Sequence, residues 1–301
     1  MKVHHLNCIS TCPLGGKLMD AGPESIIQRG HLTNHCLLIE SGSDLMLVDT
    51  GLGLRDVAHP HSRLSEFFLS LVSPDFRQEM TAYRQIESLG FDPGDVKHIL
   101  LTHLDFDHAG GLDDFPNATI HMLQAERDYA VAQKTWLDRQ RFRPQQWGSH
   151  ERWKFYNPGE GDSWFGFNRV HGIEGVSNDI AMVPLIGHTY GHAGIAVQSH
   201  GKWLFLTGDA YFYHGEMDLH KPCCTPGLSF YQTMMEKDRK SRLWNQERLR
   251  DLKKNHSDLV EIFCSHDVLE FERLSGQSAE IPLDKIHTGL DASEWNGISP
   301  V

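Results

Sequence analysis

The sequence predicts an α/β fold in which strands and helices are arranged in layers. Short apolar runs rich in Leu, Val or Ile recur along the chain, each bounded by Gly, Asp, Asn or Pro, as is typical of β-strands. Helical stretches lie between some of these runs, and such intermixing favours a layered α/β domain. The predicted strands cover residues 35–40, 44–49, 97–102, 118–123, 180–186, 194–198, 202–207 and 259–265.

Three helices are predicted between the strands. In residues 76–89 the apolar side chains keep close to a 3.6-residue period, and Gly90 follows as a C-cap. Residues 124–141 and 228–254 are also predicted to be helical. The last of these is heavily charged but keeps one apolar side, which ordinary packing against a core explains without any function.

The composition indicates which classes of partner the protein is expected to bind and in which compartment it is expected to lie. The 28 Lys and Arg residues against 40 Asp and Glu residues give a net charge of −12, which disfavours nucleic acid because phosphate binding needs a cationic surface. The chain contains no run of about 18 apolar residues and no signal-peptide pattern, so no membrane association is expected. The six cysteines lack the density of a disulfide scaffold. We therefore expect a cytoplasmic protein; the sequence does not indicate its oligomeric state.

One short stretch concentrates potential metal ligands. His103, Asp105, Asp107 and His108 lie within six residues at the end of an apolar run, where a backbone can turn and direct several side chains to one point. Imidazole and carboxylate ligands suit Zn²⁺, Fe²⁺ or Mn²⁺ rather than Ca²⁺ or a thiolate cluster. The alternative interpretation is a polar loop that caps a helix, with Asp107 as the N-cap.

Three more predicted strands end next to a histidine or an aspartate. His188 follows the run 180–186, Asp209 follows the run 202–207, and His266 follows the run 259–265. A site at one edge of a sheet collects side chains from several strand ends. These positions therefore strengthen the prediction of a metal site.

The motifs, in this order, resemble the metallo-β-lactamase superfamily, the hydrolases that include glyoxalase II and the N-acyl homoserine lactonases. The resemblance covers roughly residues 30–270 and includes Leu47-Val48-Asp49-Thr50-Gly51, which is similar to the family's early aspartate motif. It implies an αββα sandwich formed by a single domain over residues 1–301. Helical insertions are expected near 54–90, 124–160 and 211–256.

The resemblance also implies a site for two divalent metal ions, with zinc expected and iron or manganese as alternatives. Asp49 would hold a ligand histidine by a hydrogen bond, and His192 would stabilise the site as a structural residue. The implied ligands are His103, Asp105 and His188 for the first metal, Asp107, His108 and His266 for the second, and Asp209 as the bridge.

Asp105 departs from the family pattern, which usually has a histidine at this position. The aspartate Oδ lies as many bonds beyond Cβ as the histidine Nδ1, so we expect Asp105 to be a ligand and Asp105→His to be tolerated. The carboxylate would leave the metal core neutral instead of positive, which raises the pKa of a bound water and favours iron or manganese. A di-iron redox or oxygen-handling protein, and a metal-binding pseudo-enzyme with a broken first site, are therefore alternatives.

The resemblance implies hydrolysis of an ester, lactone or thioester of a small molecule by a hydroxide held between two metals. Asp107 would belong to the catalytic cluster. Lactonases of this family use a tyrosine shortly after the bridging aspartate to contact the substrate carbonyl. Here that position holds Phe212, flanked by Tyr211 and Tyr213, and either tyrosine is a candidate catalytic residue or a packing residue.

Overall fold

Two six-stranded sheets form the centre of the structure, a computed structural model that describes residues 1–21, 25–42, 44–157 and 161–281. The strands of the first sheet, in both chain and spatial order, are β1 (Lys2–Asn7), β2 (His35–Ser41), β3 (Asp44–Val48), β4 (Val96–Leu100), β5 (Thr119–Leu123) and β6 (Trp153–Tyr156). Those of the second are β7 (Asp162–Trp164), β8 (Phe167–Gly172), β9 (Ile180–Pro184), β10 (Ala193–Ser199), β11 (Lys202–Leu206) and β12 (Val260–Phe263), and the spatial order runs from β12 back to β7.

Parallel strand pairs decide where the loops of the site meet. In the first sheet, β3 to β6 are parallel to one another, so the loops that follow β3 and β4 leave from the same edge. In the second sheet, β11 and β12 form the parallel pair, whereas the neighbours from β7 to β11 are antiparallel. The loops after β11 and β12 therefore also leave from one edge.

The facing sides of the two sheets share an apolar core. Alternate residues of β2 and β3 point into this core, among them Leu37, Ile39 and Val48, and they pack with Ile195 and Phe263 of the second sheet. The intervening residues point the other way and are buried beneath helices. Both faces of the strands are apolar for this reason, as a sheet covered on both sides requires.

Helices cover the outer faces. Ala82 and Ile86 pack on the outer face of the first sheet, and Leu249 and Leu252 pack on that of the second. The αββα sandwich expected from the sequence is confirmed. The helices are α1 (Lys17–Asp20), α2 (Leu54–Ala58), α3 (Pro60–Arg63), α4 (Glu66–Val72), α5 (Ala82–Ser88), α6 (Gln124–Ala132), α7 (Trp136–Arg141), α8 (Pro144–Trp147), α9 (Pro226–Met235), α10 (Arg239–His256) and α11 (Val268–Ser275), with short 3₁₀ turns at Gln78–Met80, Pro93–Asp95, Leu112–Asp114 and His214–Met217.

All eight predicted strands are present, but each predicted helix is shorter or divided. Residues 76–89 form a 3₁₀ turn and then α5, because the Thr81 side chain accepts a hydrogen bond from Arg84 N–H and starts a new helix there. Residues 124–141 divide into α6 and α7 at Gln133, whose φ of 39° ends α6. Residues 228–254 divide at Glu236, and Asp238 caps α10.

The ranges 54–90 and 211–256, in which helical insertions are expected, contain α2–α5 and α9–α10. The insertion expected near 124–160 contains α6–α8, and its last residues, 158–160, lie outside the described part of the chain. So does 282–301, the end of the expected domain over 1–301. Within the described ranges, no helix has the length and apolarity needed to cross a membrane.

Candidate metal centre

The predicted ligands meet at one edge of the two sheets. The loop after β4 carries His103, Asp105, Asp107 and His108, and the loops after β9, β11 and β12 carry one predicted ligand each. All seven side chains are buried, and the least buried of them, Asp107, belongs to a residue that is only 9% exposed. They form two groups of potential metal ligands: His103, Asp105, His188 and Asp209, and Asp107, His108 and His266.

Four donor atoms of the first group surround one point. Asp105 Oδ2 lies 3.3 Å from His103 Nε2 and 3.0 Å from His188 Nε2. Asp209 Oδ2 lies 3.7 Å and 3.4 Å from the same two nitrogens. A tetrahedral ion with ligand distances of about 2.1 Å has donor–donor separations of about 3.4 Å. The spacing of the four atoms therefore fits one divalent ion.

The other oxygen of Asp209 faces the second group. Asp209 Oδ1 lies 3.3 Å from His108 Nε2 and 3.1 Å from His266 Nε2, and Asp107 Oδ2 lies 3.9 Å from His266 Nε2. One carboxylate thus directs one oxygen into each group, as a bridging ligand would. Burial raises the pKa of Asp209, but the neighbouring histidines, His266 first among them, hold it well below its ordinary value.

Asp49 orients two histidines of the loop after β4. Its carboxylate accepts hydrogen bonds from His108 Nδ1 at 2.9 Å and from the Thr102 hydroxyl at 2.7 Å. The single hydroxyl proton of Thr102 is used in that bond, so its oxygen accepts from His103 Nδ1 at 2.9 Å. Both histidines therefore carry their proton on Nδ1 and present the lone pair of Nε2 to the site. Asp49 has a φ of 55°, a left-handed conformation of the kind found at functional sites.

Backbone carbonyls perform the same task for histidines of the second sheet. His266 Nδ1 donates to the carbonyl of Thr33 at 2.8 Å, and His192 Nδ1 donates to that of Leu185 at 3.0 Å. The free nitrogen of His192 accepts the backbone N–H of Asp209 at 2.9 Å, which positions the bridging carboxylate. The structural role expected for His192 agrees with these contacts.

The buried donor atoms fit a metal-loaded site. His103 Nε2, His108 Nε2 and Asp209 Oδ1 have no hydrogen-bond partner in the part of the chain that the structure describes. Leaving a buried polar atom unsatisfied costs about 1–3 kcal/mol, and these three atoms face the two donor groups, His103 Nε2 the first and the other two atoms the second. Divalent ions satisfy all three, and mixed imidazole and carboxylate donors are those that zinc, iron and manganese accept.

Arg141, at the end of α7, is a member of the site that the sequence did not indicate. Its guanidinium is completely buried and holds both oxygens of Asp105: Nε donates to Oδ1 at 2.6 Å and Nη2 donates to Oδ2. Nη2 also donates to His188 Nε2 at 2.8 Å. Burial raises the pKa of Asp105, but Arg141 holds it well below its ordinary value. The neutral core expected from Asp105 alone therefore gains a positive charge next to it.

Glu126, on α6, links two of the ligand-bearing loops and was also not indicated by the sequence. Its carboxylate accepts the backbone N–H of Leu104 at 3.0 Å and that of Gly191 at 3.1 Å, and burial raises the pKa of Glu126 to about 7. A Cβ on Gly191 would lie 2.1 Å from the backbone nitrogen of Glu126, so only glycine allows this approach. The helix thus connects the loop of His103 to the loop of His188.

The tyrosines after Asp209 differ in their access to solvent. Tyr211 is fully buried and its hydroxyl donates to Glu270 at 2.9 Å and 3.0 Å, so it has no open path to a substrate. Tyr213 lines a cleft with His266, beside the ring of His214. A third tyrosine, Tyr231 of α9, lies with its ring 5.7 Å from that of Phe212, which stacks on His266.

Comparison with known proteins agrees with this geometry. A family model described as Metallo-beta-lactamase superfamily matches residues 29–261. The chain is 35% identical to a probable metallo-hydrolase of Mycobacterium tuberculosis over 267 residues, which are 89% of this chain and 77% of that protein. It is 32% identical to the N-acyl homoserine lactonase AttM of Agrobacterium fabrum over 129 residues, 42% of this chain and 46% of that protein.

Solved structures share the fold at lower identity. An N-acyl homoserine lactone hydrolase, solved with the product N-hexanoyl-L-homoserine at its catalytic metal centre, superimposes with a TM-score of 0.66. The identity is 18%, and the match covers 92% of this chain and 97% of that one. A probable metal-dependent hydrolase of Staphylococcus aureus gives a TM-score of 0.65 at 20% identity and covers 89% of both chains.

Proposed function

Because the chain belongs to the metallo-β-lactamase superfamily and is a hydrolase, we propose that it uses two divalent metal ions to hydrolyse an ester, lactone or thioester of a small molecule. Asp107, a member of the second donor group, belongs to the proposed catalytic cluster. Zinc is the metal we propose, and the three carboxylates among the seven donors make iron and manganese the alternatives.

The observation that carries the proposal is the division of Asp209 between two donor groups. Its Oδ2 lies within 3.7 Å of the histidine nitrogens of the first group, and its Oδ1 lies within 3.3 Å of those of the second. Two ions held by one carboxylate are close enough to act on the same substrate. When bound, such ions lower the pKa of a water and polarise a carbonyl.

The protein's own residues supply orientation and access. Asp49 fixes the tautomers of His103 and His108, so that their Nε2 atoms face the site before any ion binds. A cleft lined by both Tyr213 and His266 places a predicted catalytic tyrosine beside a member of the metal centre. We propose that the substrate enters by this cleft and contacts Tyr213.

The lactonases among the similar proteins make lactones the first compounds to test. The purified protein is analysed for metal by mass spectrometry and assayed against a panel of lactones, aryl esters and thioesters. We expect two metal equivalents per chain and turnover of at least one class. Removal of the metal by a chelator should abolish turnover, and zinc should restore it.

Three results would contradict the proposal. Turnover that is unchanged in metal-free protein would show that the reaction does not use the metal centre. Iron together with consumption of oxygen would favour the redox alternative. A single metal equivalent without turnover of any class would favour the pseudo-enzyme.

A further inference from the structure

We infer that Asp105 and Arg141 work as one unit, a carboxylate–guanidinium pair that replaces the neutral histidine usual at this position of the family. In this unit Asp105 binds the first metal ion, and Arg141 is a positioning residue that orients Asp105 and cancels its charge. The inference rests on the proposed dinuclear site. It identifies Arg141 as the residue that allows an aspartate at position 105.

Arg141 holds both carboxylate oxygens of Asp105. Nε and Nη2 grip the two carboxylate oxygens in a forked arrangement, and Nη1 donates to the carbonyl of Met235 at 2.7 Å. Such a bidentate pair fixes both the position and the plane of the carboxylate. Each oxygen keeps a second lone pair, so Asp105 Oδ2 remains able to bind an ion between His103 and His188.

The charge of the pair explains why the two residues are needed together. Arg141 and Asp105 are both fully or almost fully buried, and a buried charge without a partner is strongly unfavourable. With Arg141 present, the formal charge of the loaded core equals that of a site with histidine at position 105. With histidine and Arg141 together, the guanidinium would stand unpaired beside a divalent cation.

Arg141 does not replace the first ion. Both protons of Arg141 Nη2 are used, one by Asp105 and one by His188, whereas His103 Nε2 has no hydrogen bond among the described residues and is left for an ion. The hydrogen bonds of Arg141 in that part of the chain are to Asp105, His188 and Met235. An ion bound by His188 Nε2 would use the lone pair that accepts the hydrogen bond from Arg141. That hydrogen bond would then be lost, whereas the hydrogen bonds from Arg141 to Asp105 would remain.

A double-mutant comparison tests the unit. Metal stoichiometry by mass spectrometry, and affinity by competition with a chelator, are measured for the full chain, Asp105→His, Arg141→Met and the double variant Asp105→His/Arg141→Met. Asp105→His should bind the first ion about 10- to 100-fold more weakly, because it leaves Arg141 unpaired. The double variant should regain two ions at the original affinity. Arg141→Met alone should keep two ions but bind the first one more weakly, because Asp105 loses the group that orients it.

Further variants guard against a failure to fold. Asp105→Asn keeps the shape of the side chain and should also lower the affinity for the first ion. The double variant Asp105→Asn/Arg141→Met should bind the first ion more tightly than Asp105→Asn alone. Arg63→Met is the matched control: Arg63 is buried and paired with Asp56 at 2.6 Å, and its loss should lower the melting temperature without changing metal stoichiometry. Thermal unfolding is recorded for every variant.

The contrary outcomes are distinct. Two tightly held ions in Asp105→His alone, or no recovery in either double variant while both remain folded, would overturn the inference. One ion in the unaltered chain and a second gained by Arg141→Met would show that Arg141 occupies the first site. If no substrate of the panel is hydrolysed but the double variants still recover metal affinity, the proposed function is wrong and the inference about Asp105 and Arg141 stands.

Discussion

The two halves of the molecule build the metal centre in different ways. The half that contains β1–β6 contributes four of the seven predicted ligands from one loop, residues 103–108. The half that contains β7–β12 contributes the other three, His188, Asp209 and His266, from three separate loops. The first contribution is local in sequence, whereas the second exists only when β9, β11 and β12 are packed against the first sheet.

The support of the ligands differs in the same way. Two histidines of the first half are oriented through a side chain, Asp49, directly or through Thr102. His266 of the second half is oriented by the backbone carbonyl of Thr33. A substitution can remove a side chain that orients a ligand, and such a side chain can be recognised in a sequence. A backbone carbonyl is present whatever the residue type, so a substitution does not remove it. The two halves should therefore respond differently to substitution.

The largest effect is expected where the halves join. Asp209→Ala removes the carboxylate that faces both donor groups, so we expect loss of both ions and a fall in kcat/KM of about 10³-fold or more. Metal analysis and steady-state kinetics measure this. Asp113→Asn is the control, since Asp113 is paired with Arg63 at 2.8 Å and is in neither donor group. Full activity with two ions in Asp209→Ala would mean that Asp209 is not the bridge.

The next effect sharpens the contrast between side-chain and backbone support. Asp49→Ala frees the rings of His103 and His108, and we expect metal affinity to fall about 10- to 100-fold. Thr33→Ala keeps the carbonyl that holds His266, so affinity should change little. Chelator competition on both variants gives the comparison. Equal losses in the two variants would show that the distinction between the halves is wrong.

A third effect concerns the link between the halves. Glu126→Ala leaves the backbone N–H groups of Leu104 and Gly191 without their acceptor, so we expect stability to fall by about 2–4 kcal/mol. Asp128→Ala is the matched control, because it removes an exposed carboxylate from the same helix. Denaturant unfolding of the metal-free proteins measures both. Similar stability of the two variants would count against Glu126 as the link.

The smallest effect separates two neighbouring tyrosines. Tyr213→Phe should lower kcat/KM about 3- to 10-fold, the value of one hydrogen bond of about 1 kcal/mol to substrate. Tyr211→Phe should leave kinetics unchanged but lower stability by about 1 kcal/mol, because its hydroxyl serves Glu270. Kinetics and unfolding of both variants decide between them. If only Tyr211→Phe lowered kcat/KM, Tyr211 and not Tyr213 would be the tyrosine that contacts the substrate.

The sequence by itself determined the parts that depend on local pattern. Apolar runs located eight strands because a strand buried on both faces needs apolar side chains throughout. The spacing within residues 103–108 located the first-half ligands because neighbouring residues in one turn cannot be far apart. Motif order and a family resemblance added His188, Asp209 and His266, and the structure brings His188 and Asp209 into the first donor group and His266 into the second.

Only the tertiary structure decided what surrounds those ligands. Arg141 lies 36 residues from Asp105 in sequence and 94 from Met235, and no periodicity or motif connects them. From sequence alone, Asp105 implies a neutral core that tolerates histidine; the buried guanidinium is the observation on which our opposite prediction for Asp105→His rests. Ligand identity is encoded by residue type, but the charge and orientation of a ligand depend on groups that distant segments bring into contact. Packing creates those contacts, so they could not be predicted from the motif.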